Sequence, residues 1–412
     1  MNLREVRELI GPTRPRASRL QRCNSIGELR ALARRRLPRP VFDYVEGGAD
    51  EELSLERNVA AFRRWQFSPQ APRDVSAVDA SASLLGRRLA LPLVCSPTGY
   101  TRMMHPLGEL AVAGAAARAG IPYVLSTVAS SSIEEVAQGG HPDLWFQLYV
   151  WRDRGLTRDL VDRAWREGYR VLEVSVDTHV AGNRVRDIRN GLAIPPRLTA
   201  RTLGEIALRP AYWAGVVRSP PIRFANSPPA TAGRGGITIE NMTTLFDPTL
   251  GWDDIGSIRG QWPGALIVKG PLGADLAREA IARGADGLHL SNHGGRQLDR
   301  VIPPVDTLAE VREAVGDRPA IVVDSGIRSG ADLAVALALG ADAGAIGRAY
   351  LYGLMAGGEA GVDRALAIIA GEFTRTMQLL GVASVAELRA AGAAVLRAGA
   401  AVDPSPRSGR AR

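Results

Sequence analysis

The sequence is nearly without lysine: Lys269 stands alone against fifty arginines, since lysine and arginine together number 51. It has only two cysteines, Cys23 and Cys95, which lack the spacing of a disulfide framework or a metal site. We therefore expect a cytoplasmic protein without disulfides or a metal ion. The lone lysine ends the apolar run ALIVKG, which suggests a position that requires a compact ammonium. Chance survival in an arginine-rich chain is the simpler alternative.

Long apolar stretches are also missing, because no run approaches the roughly 18 residues of a membrane-spanning helix. Residues 1–16 contain no apolar signal core, so we expect neither export by a signal peptide nor a transmembrane segment. The net charge is +8, and eleven arginines against three glutamates lie in residues 1–39. Since the remaining charges balance, we expect no nucleic-acid partner. The basic arm instead predicts peripheral contact with the inner face of the cell membrane, or with the protein's own surface.

Eight short apolar runs recur along the chain, and each precedes a polar residue and a stretch typical of a helix. Such runs indicate parallel strands buried on both faces, and eight of them predict an α/β fold of the (β/α)8 TIM-barrel type. An open doubly wound sheet is the alternative, but SPTGYTRMMHP lacks the glycine pattern of a dinucleotide turn. The runs span residues 91–97, 122–127, 145–150, 171–177, 265–270, 287–292, 320–326 and 343–349.

The domain prediction follows from these runs. Residues 1–90 form an N-terminal arm and helical extension that packs on the barrel, and residues 91–390 form the barrel itself. The connection after the fourth strand, residues 178–264, is long enough for a lid or a binding loop. We expect residues 391–412 to be a disordered tail.

Polar residues cluster where the predicted strands end, which is the catalytic face of such barrels. The loops DSGIRSG and IGRAY combine glycines with Arg328 and Arg348, which predicts a site for a cofactor phosphate. Lys269 would face the other end of this cofactor, where an ammonium stabilises the negative charge of a reduced flavin.

The heptapeptide SNHGGRQ places a histidine and an arginine on one glycine-hinged loop. A carboxylate at Asp177 would orient the imidazole of His293 and make it a general base. Arg184 and Arg296 are suited to bind a substrate carboxylate through two parallel hydrogen bonds. We interpret His105, His141 and His289 as packing residues.

Seven motifs resemble the FMN-dependent L-2-hydroxy-acid dehydrogenase and oxidase family: SNHGGRQ, SPTG, FQLYV, VDTHVAGNRVRDIRNG, LIVKG, DSGIRSG and IGRAYLYGLMAGGEAG. The similarity covers residues 25–390. It implies catalysis by His293 with support from Asp177, and substrate contacts at Tyr44, Tyr149, Arg184 and Arg296. It implies FMN contacts at Pro97, Thr98, Gly99, Ser126, Gln147, Ser175, Lys269, Ser291, Asp324, Ser325, Gly326, Arg328, Gly347 and Arg348.

The resemblance implies oxidation of an L-2-hydroxy acid to the 2-oxo acid, and a homotetramer. Within the family, the sequence is most similar to quinone-linked L-lactate dehydrogenases, followed by mandelate dehydrogenase and glycolate oxidase. Gly99 replaces the alanine common in oxidases, and Val128 replaces an aromatic residue of glycolate oxidases. The valine implies a wider side-chain pocket, and the similarity to lactate dehydrogenases favours L-lactate as substrate. Gly99, this similarity and the basic arm together favour a quinone or another acceptor over oxygen. The alternatives are an oxygen-using oxidase of glycolate, mandelate or longer acids, and a catalytically silent flavin-binding scaffold.

Overall fold

A computed structural model of the chain describes residues 18–190, 204, 208–227 and 245–399. The strands in this part are β1 (Trp65–Phe67), β2 (Ala82–Leu84), β3 (Arg87–Leu89), β4 (Leu93–Cys95), β5 (Tyr123–Ser126), β6 (Leu144–Leu148), β7 (Val171–Ser175), β8 (Ala265–Gly270), β9 (Gly287–Leu290), β10 (Ala320–Val323), β11 (Ala343–Ile346) and β12 (Leu396–Ala398).

Strands β4 to β11 form a closed parallel barrel in chain order, with β11 pairing back onto β4. Seven of the eight predicted runs contain one of these strands, and the run 145–150 contains all of β6 except Leu144, so the predicted (β/α)8 barrel is confirmed. All the runs except 265–270 extend past their strand at the carboxyl end, because the polar residues there belong to the loops that carry the site. All barrel strands except β8 and β10 are buried along their entire length, as expected for a sheet covered on both faces.

The helices are α1 (Ile26–Arg36), α2 (Arg39–Glu46), α3 (Leu53–Arg63), α4 (Gly108–Arg118), α5 (Ile133–Ala137), α6 (Arg154–Arg166), α7 (Val185–Asn190), α8 (Pro210–Arg218), α9 (Trp252–Gln261), α10 (Ala274–Ala282), α11 (Pro304–Val315), α12 (Gly330–Ala338), α13 (Arg348–Leu380) and α14 (Val385–Ala391). Local sequence sets several of their ends. Ser132 and Glu135, for example, form a capping box that starts α5. In the described ranges, no helix is both long and apolar enough to cross a membrane.

The N-terminal extension packs against the side of the barrel and covers the amino-terminal ends of the barrel strands. Helix α1 packs against the long helix α13, while α3 packs beside the loop that follows β9. The hairpin β2–β3 places Leu84 and Leu89 against residues at the amino ends of the barrel strands. This apolar layer closes the amino-terminal end of the barrel, so the polar cavity lies at the opposite end.

The chain stays structured beyond residue 391, where a disordered tail was expected to begin. Residues Gly392–Val395 form a turn of 3-10 helix, and β12 then pairs antiparallel with β1. The prediction was wrong at this boundary because the pairing joins segments about 330 residues apart, Phe67 with Leu396. Local sequence carries no signal for such a pairing. Residues 400–412 lie outside the described part of the chain.

Candidate active site

A single cavity at the carboxyl ends of the barrel strands collects most of the predicted site residues. Lining side chains come from the extension, from the barrel loops and from the long connection after β7. The predicted residues in its wall are Tyr44, Pro97, Thr98, Gly99, Tyr149, Ser175, Arg184, Lys269, His293, Arg296, Asp324, Ser325, Gly326, Arg328, Gly347 and Arg348.

Four predicted residues lie immediately behind this wall: Ser126, Gln147, Asp177 and Ser291. Ser126 donates to the Gln147 side-chain oxygen at 3.0 Å, and the Gln147 amide donates to Ser175 Oγ at 3.1 Å. This chain crosses three neighbouring strands and orients the Ser175 hydroxyl at the cavity. All three side chains are buried, so each hydrogen bond replaces one that water would otherwise make.

His293 lies between a carboxylate and a phenol. Its Nδ1 is 3.2 Å from Asp177 Oδ2, and its Nε2 is 3.2 Å from the Tyr149 hydroxyl. Because the Asp177 carboxylate accepts a hydrogen bond from Nδ1–H, Nε2 carries no proton and can accept one at the cavity. Burial lowers the pKa of His293 despite the opposing effect of Asp177, so the imidazole is neutral at pH 7. Burial raises the pKa of Asp177, but His293 and Lys269 outweigh it, and the group stays ionised.

Glycine gives the 293–296 loop its shape. His293 and Gly294 both have positive φ, 58° and 65°, and a Cβ on Gly294 would lie 2.6 Å from Arg348 Nη1. The strained backbone at His293 is held by its amide, which donates to Ser291 Oγ at 3.0 Å. Glycine is therefore required next to the base because a guanidinium occupies the space that a methyl group would fill.

Arg184 and Arg296 approach the cavity near His293. Arg296 donates to the carbonyl oxygens of Tyr44 and Gly47, and its guanidinium stacks 4.8 Å from the Tyr44 ring centre. Burial and the nearby Arg184 lower the pKa of Arg296 to about 10. Arg184 Nε is buried, and within the described ranges it has no hydrogen-bond partner. Two adjacent guanidinium groups with unused donors form a site for a carboxylate.

A second cationic region lies at the loops after β10 and β11. Arg348 is buried and donates to the carbonyl oxygens of Val45, Gly47 and Gly294 at 2.8–2.9 Å. In the part of the chain that the structure describes, neither it nor Arg328 forms an ion pair with a carboxylate. Burial and the neighbouring Arg296 lower the pKa of Arg348 to about 9. This uncompensated charge begins helix α13, so both the side chain and the helix N-terminus favour an anion.

Lys269 lies in the wall between these two regions and is almost fully buried. Its ammonium donates to Ser291 Oγ at 2.8 Å and is 3.8 Å from Asp324 Oδ2. Burial lowers the pKa of Lys269, but the carboxylates of Asp324 and Asp177 outweigh this effect and raise it. The only lysine in the chain is therefore a charged group at the cavity.

Several lining residues were not found from sequence. Asn58, on helix α3, exchanges amide hydrogen bonds of 2.7 and 2.8 Å with Asn292. Phe224 and Phe246 come from the long connection and pack on Tyr100 and Tyr149, with ring centres 4.4 and 4.8 Å apart. Nothing in their local sequence indicates a site, because each reaches the cavity only through tertiary packing.

His289, interpreted from the sequence as a packing residue, is fully buried but has charged partners. It lies within the barrel, where Nδ1 is 2.7 Å from Glu173 Oε2 and Nε2 is 3.2 Å from Asp324 Oδ2. Its side-chain partners are the carboxylates of Glu173 and Asp324, whereas the apolar pattern of β9 predicted an apolar environment. The signal available in the sequence was Glu173, a charge in the middle of the apolar run VLEVSVD.

The fold and the cavity together define a barrel enzyme with a general base beside an anion-binding site. A family model described as FMN-dependent dehydrogenase matches residues 33–394. A putative L-lactate dehydrogenase of Mycobacterium tuberculosis is 47% identical over 94% of this chain and 94% of that protein. An (S)-mandelate dehydrogenase of Pseudomonas putida is 40% identical over 88% of this chain and 92% of that protein.

A crystal structure of the monotopic membrane protein (S)-mandelate dehydrogenase superimposes with a TM-score of 0.86. It is 38% identical and is matched over 92% of this chain and 100% of that chain. The chain belongs to the FMN-dependent dehydrogenase family. It is therefore an oxidoreductase, and its cofactor is FMN.

Proposed function

We propose that this enzyme oxidises an L-2-hydroxy acid to the corresponding 2-oxo acid, with L-lactate as the first candidate. The observation that carries the proposal is the position of His293 Nε2, a neutral proton acceptor beside the paired guanidinium groups of Arg184 and Arg296. A carboxylate held by the two arginines would place the adjacent hydroxyl and Cα near this nitrogen. Relatives named L-lactate and mandelate dehydrogenase support the same substrate class.

FMN would occupy the remainder of the cavity, and the residues present fit it. Arg328, Arg348 and the N-terminus of α13 would hold the phosphate, since Arg348 has three carbonyl partners but no carboxylate among the described residues. Ser175 and Lys269 would contact the ring or the ribityl chain, and Gln147 would orient Ser175 from behind the wall. When bound, FMN supplies the two-electron acceptor of the reaction.

The chain's own residues move the proton. His293 accepts a proton from the substrate at Nε2, and Asp177 stabilises the imidazolium that forms. The Tyr149 hydroxyl, 3.2 Å from Nε2, can donate a hydrogen bond to the substrate oxygen once substrate separates the two groups. Burial, with the nearby Asp177, raises the pKa of Tyr149 far above neutrality, so the phenol keeps its proton. Both a direct hydride transfer and a route through a carbanion are compatible with this arrangement.

The substrate's side chain would meet an apolar wall. Tyr100, Met104, Val128 and Phe224 line the cavity together, and Tyr100 and Phe224 are in ring contact. This wall suits a methyl group or a larger apolar group, and its four described side chains offer no charge to a second carboxylate. The proposal therefore extends to longer or aromatic 2-hydroxy acids as slower or competing substrates.

Anaerobic reduction of the bound FMN by a panel of acids tests the substrate class. L-lactate, L-mandelate, glycolate and the D-isomers are mixed with the enzyme, and loss of the flavin absorbance is followed. We expect reduction by L-lactate and no reduction by D-lactate. Reduction by the D-isomers alone would contradict the proposed placement of His293 and the arginines.

The proposed electron acceptor is a quinone rather than oxygen. Gly99 contacts Val128 so closely that an added Cβ would lie 2.6 Å from Val128 Cγ2. An alanine at position 99, which is common in oxidases, would therefore require Val128 to move. This supports a cavity wall at Gly99 and Val128 that differs from the wall of the oxidases. Stopped-flow reoxidation of reduced enzyme by a soluble quinone analogue should be much faster than by air. Equally fast reoxidation by air, with formation of peroxide, would identify an oxidase instead.

The proposal includes peripheral contact with an anionic membrane surface through α8 and the end of α1. Val217 is 82% exposed and Leu208 67% exposed, and Arg209 ties α8 to α1 by donating to the Leu37 carbonyl at 3.3 Å. Arginines 34–36 are exposed beside this junction, so apolar and cationic groups share one surface. Co-sedimentation with anionic vesicles, weakened by Val217→Glu and unchanged by Leu276→Glu, would support this contact.

We also propose that the enzyme is a homotetramer. Light scattering, which measures the molar mass in solution, tests this.

A further inference from the structure

The interior of the barrel contains a charged pair in a layer that such barrels fill with apolar side chains. Glu173 on β7 and His289 on β9 are fully buried, and they meet across β8 with Nδ1 of the histidine 2.7 Å from the carboxylate. Glu173 lies two residues before the cavity residue Ser175, and His289 lies two residues before Ser291, the partner of Lys269, so each is on the same face of its strand as that serine. The pair thus lies directly beneath the floor of the cavity.

Contacts connect this pair to the cavity. His289 Nε2 is 3.2 Å from Asp324 Oδ2, and the same oxygen is 3.8 Å from the Lys269 ammonium. Asp324 Oδ1 accepts a hydrogen bond from Ser325 Oγ at 2.6 Å. Four charges therefore alternate in one row, in the order Glu173, His289, Asp324, Lys269, and the last two line the cavity.

The alternation depends on a protonated histidine. Burial lowers the pKa of His289, but the two flanking carboxylates outweigh it and raise the pKa to about 9. Asp324 remains ionised because Lys269 and His289 together overcome the effect of its burial on its pKa. The charged groups facing His289 are Glu173 from β7, Lys269 from β8 and Asp324 from β10. With the histidine protonated, the row is neutral as a whole.

We propose that Glu173 and His289 set the electrostatic potential of the FMN site, with His289 acting as a positioning residue for Asp324. The imidazolium compensates Asp324 from beneath the cavity, so the Lys269 ammonium acts on the cofactor with most of its charge. Without the imidazolium of His289, the negative charge of Asp324 would offset the positive charge of Lys269 at the cofactor, and Glu173 would add a second buried negative charge. Positive charge in the cavity wall favours the reduced, electron-rich cofactor, so the pair raises the reduction potential of bound FMN.

The test is the midpoint potential of bound FMN, measured by anaerobic titration with a chemical reductant at pH 7. His289→Gln should lower the preference for reduced FMN about tenfold, which is equivalent to about 30 mV for a two-electron couple. Glu173→Gln should raise the preference, and the double variant should return close to the unmodified enzyme. His141→Gln replaces a buried histidine in the turn before β6, at the other end of the barrel, and should change nothing.

Opposite shifts in the two single variants are the signature of charge, since a merely structural role would not reverse sign between them. Shifts in the same direction, or no shift in either, would overturn the inference. FMN content and circular dichroism establish that each variant is folded and loaded. If His289→Gln does not fold, Glu173→Gln and the double variant still have to show the upward shift and its cancellation. The inference rests on FMN in this cavity but uses no hydroxy acid, so failure of the substrate proposal would leave it intact.

Discussion

Replacement of Asp177 by asparagine removes the charge that stabilises the protonated form of His293. The two groups are 3.2 Å apart, and at an effective dielectric constant of about 20 the attraction between unit charges at that separation is about 5 kcal/mol. If the proton is about half transferred in the transition state, roughly 2.5 kcal/mol is lost, which corresponds to about 70-fold in rate. An asparagine amide can also donate to Nδ1, which favours the wrong tautomer and adds to the loss.

Stopped-flow measurement of anaerobic FMN reduction by L-lactate isolates this step from the acceptor reaction. We expect the limiting rate of Asp177→Asn to fall about 70-fold or more, with FMN content unchanged. Asp275→Asn is the matched control, because this carboxylate is exposed on α10 and pairs with Arg278 at the surface. A rate for Asp177→Asn within about threefold of the unmodified enzyme would refute the role assigned to Asp177.

Three further predictions concern the same loop. His293→Ala should retain FMN but lose about 10²- to 10⁴-fold in turnover, measured with FMN content as the control. Only neutral His293 can accept a proton, so kcat/KM should fall as the pH decreases through the pKa of His293 in the folded enzyme. Burial lowers this pKa, so the midpoint of the fall should lie below 6.5. A midpoint above pH 7 would contradict the assignment. Gly294→Ala should weaken FMN retention, because its Cβ would lie 2.6 Å from Arg348 Nη1 at a φ of 65°. Gly256→Ala on α9, where nothing lies within 4 Å of the added carbon, should retain FMN normally, and equal retention in both variants would show that the loop tolerates the methyl group.

The barrel and the candidate site could be predicted from sequence because both depend on short segments. Each strand is a local apolar run, and barrel geometry brings the residues after every run to one rim. His293, Lys269 and Arg348 could thus be assigned to one cavity before any distance between them was available. The resemblance of seven motifs to one family then specified the role expected of each residue.

Tertiary structure alone decided the contacts between distant segments. Asn58 lies at the cavity through a hydrogen bond with Asn292, 234 residues later in the chain. Strand β12 pairs with β1, which lies about 330 residues earlier in the chain. The charge on His289 depends on Glu173, which lies two strands away and meets it only in the closed barrel. A side chain's neighbours across a closed sheet set its pKa, and local sequence does not contain them. For that physical reason, the raised pKa of His289 could not be predicted from the apolar strand that carries it.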